Sequence, residues 1–498
     1  MSANYLVLSA SLTLLLGCFE GFSLVLHPLQ GLRSGRSKSV LMSKNRGPGG
    51  EFPCFTASAP SPPSNLVPID SMLRMLESTE ERENFEAQQR GYGSTNHRAD
   101  VRLFDKPEGY EPEVTLYRDQ AAWCPYCQKV WLQLETKRIP YKIIKIPLRC
   151  YGDKPASFAR VNPSGSLPVA TIKGDTMTES NDIMYTLERE YPDHYPLIPK
   201  EADRIARMKT LLKLERSAFS AWFRWLTTFS LPGLPNVLGN EMDKVLREVD
   251  AALKGSGGPY FMGSDFTLVD VMFAPFLERM AASLPYYKGF ESRSDKYPHL
   301  LTWYETMDTR EAYRGVKSDY YTHVHDLPPQ IGGCQPFGGS DYKRYQKEVD
   351  SLAWDTKREI GSLVEPMLPA DPEEAARDAV RRTLSNFDAV VKFACRGAGS
   401  KGDRPVSAAL ADPTAKSNES YTEAVGEALR LILSAMLAFS GPSDVTFPSS
   451  QAALGDKEKD AVKKSLLYLR DRIGVPRDMT VHGARLLRAH INAYVTQL

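Results

Sequence analysis

Val114-Thr-Leu-Tyr117 followed by Trp123-Cys124-Pro125-Tyr126-Cys127, with a helical pattern running on to Lys137, is the stretch that decides how this chain is read. The first run alternates apolar and polar side chains as a strand does. Pro125 then stands where a first helical residue belongs, because its missing N–H would have no partner there anyway. Cys124 therefore sits at a helix N-terminus, where unpaired backbone N–H groups and the positive dipole end favour a thiolate. Thiols so placed can fall from about 8.5 to roughly 3.5 to 7.5 in pKa. Cys124 is the candidate nucleophile. Cys127, one turn on, is within reach of a mixed disulfide formed on Cys124, as a resolving thiol must be. Half of a zinc site would need a second ligand pair, but Cys18, Cys54, Cys150, Cys334 and Cys395 are scattered singly. Thiol chemistry without a metal is the preferred reading.

Outward from this motif, residues 112–199 alternate strand and helix. The pieces are Val114 to Tyr117, Gln128 to Lys137, Tyr141 to Ile146, a stretch near Lys154 to Val161, Pro168 to Ile172, Thr176 to Thr178 and Asn181 to Glu190. Such alternation predicts a sheet that begins parallel, with helices on its faces. Leu167-Pro168 stands directly before a strand, either as a plain strand starter or as a cis proline that turns the preceding backbone toward a ligand.

Residues 201–327 read as all helical. Arg204 to Phe229 is one helix, ended by Pro232, Gly233 and Pro235; Asn240 to Leu253 is a second. Thr267-Leu-Val-Asp270 matches a capping box ahead of an apolar helix from Val271 to Leu284. A linker through Gly338-Gly339-Ser340 leads to residues 341–498, where Lys343 to Ile360, a helix opened by Asp371-Pro372-Glu373-Glu374, Tyr421 to Phe439, Lys457 to Ile473 and Val481 to Val495 predict a bundle of about five helices. Tyr421 to Phe439 is its expected central helix. No catalytic constellation falls in this block.

Upstream, residues 51–111 read as a linker and a partly helical arm, with a solvated helix between Asp70 and Gln89 and order expected from about residue 100. Residues 1–50 read as a presequence. Tyr5 to Gly17 is too short to span a bilayer and fits a signal-peptide core, and the tract to Gly50 is Arg/Lys/Ser-rich without an acid, as in a transit peptide. Leu15-Leu16-Gly17-Cys18 allows a lipoprotein cleavage site instead, which would leave the basic tract unexplained.

The chain has 498 residues, enough for about three domains, and 62 basic against 61 acidic residues give a net charge of +1. Such balance points away from nucleic acid and anionic membranes and toward a small-molecule partner. Seven cysteines without framework spacing argue for a compartment where thiols stay reduced.

The C-x-x-C at a helix head, Asn162-Pro-Ser-Gly-Ser-Leu-Pro168, Glu179-Ser180-Asn-Asp-Ile183, Tyr191-Pro192 and the capping box together resemble the glutathione transferase superfamily. Arg149-Cys-Tyr-Gly-Asp-Lys154 and Tyr321-Thr-His-Val-His-Asp-Leu-Pro-Pro-Gln330 resemble a plant and algal subgroup of plastid members, and Val475-Pro-Arg-Asp-Met479 is similar to part of an extension that subgroup carries. The resemblance implies a thioredoxin-like α/β domain, an all-helical second domain and an extra helical bundle. It implies glutathione as co-substrate, with Cys124 meeting its sulfur within the Cys124-Pro125-Tyr126 turn, the Leu167 main chain before Pro168 pairing with its cysteinyl part, and Glu179 and Ser180 holding its γ-glutamyl end. A helix N-terminus suits that carboxylate, and a side-chain carboxylate suits the α-ammonium. Ser166 replaces the Lys or Gln often found there, which leaves the glycine carboxylate either more loosely held or held by Lys137 or Lys173.

Cysteine in place of Tyr or Ser shifts the expected chemistry from conjugation toward deglutathionylation or dehydroascorbate-type reduction. The partner is then a small electrophile or disulfide, with no nucleic acid, no stable membrane anchor and a homodimer compatible with pairing through the two domains. The alternatives are a non-catalytic glutathione-binding interaction module and a lipid peroxide isomerase or reductase. Trp222, Phe223 and Trp225 are candidates for a second-substrate pocket, against an equally simple role as core. Cys150 reads as an inert buried thiol, His323 and His325 as a packed or solvated pair on a strand, and Arg477-Asp478 as a capping turn.

Overall fold

Strand formation starts from the alternation in Val114–Asp119, whose Val114 and Leu116 face inward and are fully buried. In the computed structural model the residues described are 67–77, 80–229, 236–337, 341–351, 365–366, 371–403, 410–439, 445–447 and 454–498. The proposed presequence, most of the first linker, the Pro232-Gly233-Pro235 stop, Gly338 to Ser340 and the second half of the helix expected to reach Ile360 lie outside them.

Helices α1 (Ile69–Met75) and α2 (Glu80–Gln89) precede a short strand β1 (Val101–Arg102). Then follow β2 (Val114–Asp119), α3 (Pro125–Lys137), β3 (Tyr141–Ile146), α4 (Ala156–Val161), β4 (Val169–Ile172), β5 (Asp175–Met177) and α5 (Ser180–Glu190). The sheet order is β1-β3-β2-β4-β5. β2 and β3 are parallel, with Tyr117 opposite Ile144, and α3 supplies the crossover that a parallel pair needs. β4 runs antiparallel to both β2 and β5. This is a thioredoxin-like α/β domain, to which β1 adds an antiparallel edge strand that the pattern did not announce. Arg102 of β1 explains its attachment: its guanidinium meets the Glu135 carboxylate of α3 at 2.9 Å, and both side chains are almost wholly buried.

The next part is all helical: α6 (Ala202–Thr227), α7 (Val237–Lys254), α8 (Leu268–Lys288), α9 (Pro298–Asp308), α10 (Glu311–Val316) and α11 (Tyr320–Ile331). The capping box forms as the spacing predicts, Asp270 accepting from the Thr267 amide at 2.9 Å. Behind it α8 is apolar on every side and is buried along its whole length, so it is the axis on which the other helices pack. One hydrophobic core runs unbroken from the sheet into these helices, joining Leu116, Trp131 and Leu134 to Trp222, Phe273 and Trp303.

Helix α12 (Asp341–Asp350) packs against α8 rather than within the last bundle, and its Val349 belongs to the first core, because the Tyr286 hydroxyl bonds the Asp350 carboxylate at 3.0 Å. The bundle is made by α13 (Pro372–Leu384), α14 (Phe387–Ala394), α15 (Thr422–Leu437), α16 (Asp456–Arg470) and α17 (Val481–Gln497). As its apolarity predicts, α15 is central, with twelve of its sixteen residues buried. Within the upstream arm the acidic α2 stays largely exposed or half-buried, but α1 is docked. Met72 and Leu76 are fully buried in the bundle's core beside Val380 and Ile432, and Arg381 donates to the Leu76 carbonyl at 2.5 Å.

The bundle is fastened to the rest by buried polar groups. Arg488 of α17 pairs with Asp319 at the start of α11, and Ser318 donates to the Val475 carbonyl. The Val475 amide donates back to Thr322 Oγ1 at 3.2 Å. Among the described residues no helix is long and apolar enough to cross a membrane.

Candidate active site at the head of helix α3

The loop between β2 and α3 is shaped by Asp119. Its Oδ2 accepts the amides of Trp123 at 2.5 Å and Cys124 at 3.1 Å, which turns the chain into the helix with Cys124 as N-cap and Pro125 as first helical residue. Opposite it the Leu167-Pro168 bond is cis, and the Leu167 carbonyl faces Cys124 Sγ at 4.0 Å. Cys124 retains 7% exposure. Cys127 is buried beneath it. Burial, the neighbouring Cys124 sulfur and Asp119 push the Cys127 thiol well up, so it remains an S–H at neutral pH.

Asp119, Cys124 and Cys127 bring their oxygen and sulfur atoms within 4.8 Å of one another, the group among the described residues that could ligate a metal. The Asp119 carboxylate is already taken by two amides, and a tetrahedral ion would need a fourth ligand.

Glu179 is the N-cap of α5 and is exposed, while Ser180 begins the helix and is 8% exposed. Next to them Lys129 of α3 donates to Asn181 Oδ1 at 2.6 Å. Burial pushes the Lys129 ammonium down to about 7, with the Arg216 charge acting the same way and Glu215 opposing. Cys124 thus faces the cis-proline turn, and Lys129 ties the motif's helix to the first turn of α5.

The lysines expected at the glycine carboxylate are elsewhere. Lys137, at the far end of α3, pairs with Glu188 at 3.0 Å and donates to the His194 carbonyl; Lys173 pairs with Glu190 at 3.3 Å. Lys154 is one of the cations near the thiols, beside Lys129 and Arg279. Its Nζ donates to the Pro147 carbonyl at 2.7 Å, and burial lowers its pKa.

The aromatic candidates divide. Trp225 is fully buried against Phe290, and Trp222 is 2% exposed with its Nε1 donating to Ser283 Oγ at 2.9 Å, so both are core. Phe223 is half-buried and stacks on Phe219, which meets Phe276 at 5.1 Å between centroids; Phe276 in turn meets Tyr126 at 5.8 Å. Arg216 lies over Phe219 and Phe276, so the wall beside Tyr126 is aromatic with a cation upon it.

Arg279 of α8 reaches the motif from below, donating to the Trp123 carbonyl and lying 4.8 Å over its ring. It also donates to Gln128 Oε1 at 2.8 Å; Gln128 donates to Glu278 at 2.9 Å, and Glu278 lies 2.7 Å from His323 Nε2. Burial opposes the Glu278 charge, but the His323 bond and Arg279 hold its carboxyl below the usual range. His323 is thus a partner of Glu278 on helix α11, not a metal ligand on a strand, and His325 turns to Asp350 at 2.9 Å. Cys150 is held by Gln330 at 2.7 Å, and burial pushes its thiol up to about 12.

Asp119 was within sight of sequence reasoning, as the last strand residue before the motif. Arg216, Phe276 and Arg279 carried no local signal, because helices far along the chain deliver them.

The family description for the glutathione S-transferase N-terminal domain matches residues 123–190, and that for the C-terminal domain residues 238–306. Glutathione S-transferase DHAR3, chloroplastic, of Arabidopsis thaliana is 26% identical over 211 residues, spanning 42% of this chain and 75% of its own. Pyrimidodiazepine synthase of Drosophila melanogaster is 30% identical over 191 residues, spanning 37% of this chain and 73% of its own. Among solved structures, glutathione transferase Omega 3C from Trametes versicolor aligns at 27% identity and a TM-score of 0.38, over 42% of this chain and 91% of that one. With both domain matches falling on the sheet that carries Cys124 and on the helices that clamp it, the chain belongs to the glutathione transferase superfamily.

Proposed function

We propose that the protein is a Cys-type, glutathione-dependent thiol transferase that reduces mixed disulfides or dehydroascorbate-like substrates. The observation that carries this reading is the placement of Cys124 Sγ at a helix N-terminus, 4.0 Å from the carbonyl of Leu167, with an uncharged Cys127 thiol behind it. A hydroxyl in that place could only polarise glutathione, whereas a sulfur can exchange with it. The tripeptide lies with its cysteinyl backbone along Leu167 and Pro168, its γ-glutamyl end at Glu179 and Ser180, and its glycine carboxylate toward Lys154.

In the turnover we infer, the Cys124 thiolate attacks the glutathione sulfur of a glutathionylated substrate, a Cys124–glutathione disulfide forms, and the substrate leaves as its thiolate. A second glutathione thiolate then attacks the glutathione sulfur of that disulfide, which frees Cys124 and releases oxidised glutathione. Cys127 stays an S–H and donates to its neighbour rather than competing for it. The aromatic wall of Tyr126, Phe219, Phe223 and Phe276 suits an apolar body on the substrate. We further place the protein in the plastid, on the composition of residues 1–50 and the chloroplastic relative.

The test is turnover of the full chain with glutathione and either a glutathionylated peptide or dehydroascorbate, beside Cys124→Ser. Loss of exchange in that variant supports the mechanism. Exchange that persists without the Cys124 sulfur would overturn it, and absence of exchange in the unaltered chain with every thiol substrate would leave a glutathione-binding module.

A further inference from the structure

A cavity of about 670 Å³ opens where the thioredoxin-like domain meets the last bundle, and none of its lining residues is one proposed to hold glutathione. Its walls come from both sides: Arg98, Gln120, Ala121 and Tyr151 from the first, and residues of α13, α14, α16 and the turn before α17 from the second. The volume falls within the range of small-molecule and cofactor sites, roughly 300 to 1,000 Å³.

Five arginines line it, Arg98, Arg382, Arg396, Arg472 and Arg477, against the two aspartates Asp412 and Asp478. Arg382 and Arg477 have carboxylate partners, Asp378 at 2.6 Å and Asp478 at 2.7 Å. The other three form no ion pair among the described residues. Arg98 meets only Ser385 Oγ at 3.4 Å and the Phe85 ring. Arg396 donates to the Asp412 carbonyl at 3.0 Å and lies over Phe393. Arg472 lies 3.6 Å over the Tyr468 ring, and its Nε is buried with no hydrogen-bond partner. Burial and the nearby Arg382 charge lower the Arg98 pKa, with Asp378 opposing.

Guanidinium groups held on aromatic rings and bonded only to neutral acceptors, as Arg472 is to the Tyr468 carbonyl at 3.4 Å, keep their planes fixed and their charge uncompensated, which is the preorganisation that phosphate oxygens reward. One carboxylate would neutralise one of the three free cations, whereas a phosphate chain answers all of them. Beside Gln120, Thr383, Ser385 and Asn386, the lining has an apolar part that includes Val390, Phe393, Leu410, Ile473 and Leu487. We propose that this seam cavity binds a phosphorylated organic anion of nucleotide size, its phosphates on the arginines and its flat body against the apolar wall. The proposal stands apart from the glutathione reading, since none of these arginines touches the thiols.

The experiment is calorimetric titration of the full chain with sodium pyrophosphate and with adenosine triphosphate, with and without saturating glutathione. Both probes should bind, the nucleotide more tightly, and glutathione should compete with neither. Arg98→Gln and Arg396→Gln, one on each side of the seam, should each weaken binding by about tenfold, the loss of a charge-assisted contact. Because the two residues sit on separate elements, a variant that fails to fold leaves the other to decide. No binding of either probe, binding indifferent to both substitutions, or displacement by glutathione would overturn the site. A nucleotide bound no more tightly than pyrophosphate would overturn the role of the apolar wall.

Discussion

The transferase half and the terminal bundle both bury charge, but they do so for different ends. Inside the first, Arg102, Lys129, Glu135, Glu278, Arg279 and His323 are each at most 4% exposed, and three of them, Arg102, Glu278 and Arg279, bond the motif's own helix or its loop. The bundle's core is alanine, valine and leucine, with buried charge confined to its margins: Arg488 reaches across to Asp319, and Arg381 reaches back to the Leu76 carbonyl. Buried charge is costly unless it is paired and hydrogen-bonded. In one half that cost is accepted around the Cys124 loop, and in the other it is accepted where the bundle meets its neighbours.

The strongest way to break this comparison is at the seam. Arg488→Ala should cost about 3 to 5 kcal/mol, because Asp319 is left buried without its partner. Urea unfolding would show it as a lower midpoint for the whole chain; a shift seen only in bundle helices would mean that the halves unfold independently. Next comes the arm. Met72→Ala should cost about 2 to 5 kcal/mol by opening a cavity in the bundle core, read by the same unfolding curves, and a neutral result would return α1 to solvent.

A third test sharpens the difference inside the site. Burial lowers the Lys129 pKa to about 7 in the fold from its ordinary 10.5, so the unfolded chain binds its proton more strongly through that interval. Stability should therefore rise with pH between about 7 and 10.5, by at most about 1.4 kcal/mol per unit from this group. Lys129→Met should flatten that part of the curve, and an unchanged slope would mean that the charge is not buried in the fold. The smallest effect belongs to Cys127→Ser. With its thiol held protonated, its loss should change steady-state exchange by less than about threefold, and a collapse of turnover would assign it the resolving role instead.

Much of the site could be read before any coordinates, and the reason is locality. Cys124, Cys127 and Pro125 are placed by one helix start, Glu179 and Ser180 by another, and the strand boundary before Val169 places Leu167. Each signal lies within a few residues of the atom that it positions. The misreadings have the opposite cause. Lys137 has the right charge but points to the carbonyls of His194 and Tyr195, and Trp225 has the right ring but is turned into the core. Helical spacing alone does not say which face an aromatic side chain will find. The acidic second half of the arm read as solvated, yet the apolar first turn of α1 is what docks it.

What the chain settles by itself is the set of local choices: where strands and helices begin, which cysteine caps a helix, and which helices are apolar all round, since these follow from backbone propensity and periodicity. Tertiary structure alone decided that Arg279 would clamp the Trp123-Cys124 loop, that α12 would join the first core, and that five arginines far apart in the chain would line a common void. Those outcomes depend on which surfaces meet when distant segments pack, and burial energy summed over many contacts fixes that without leaving a short-range trace.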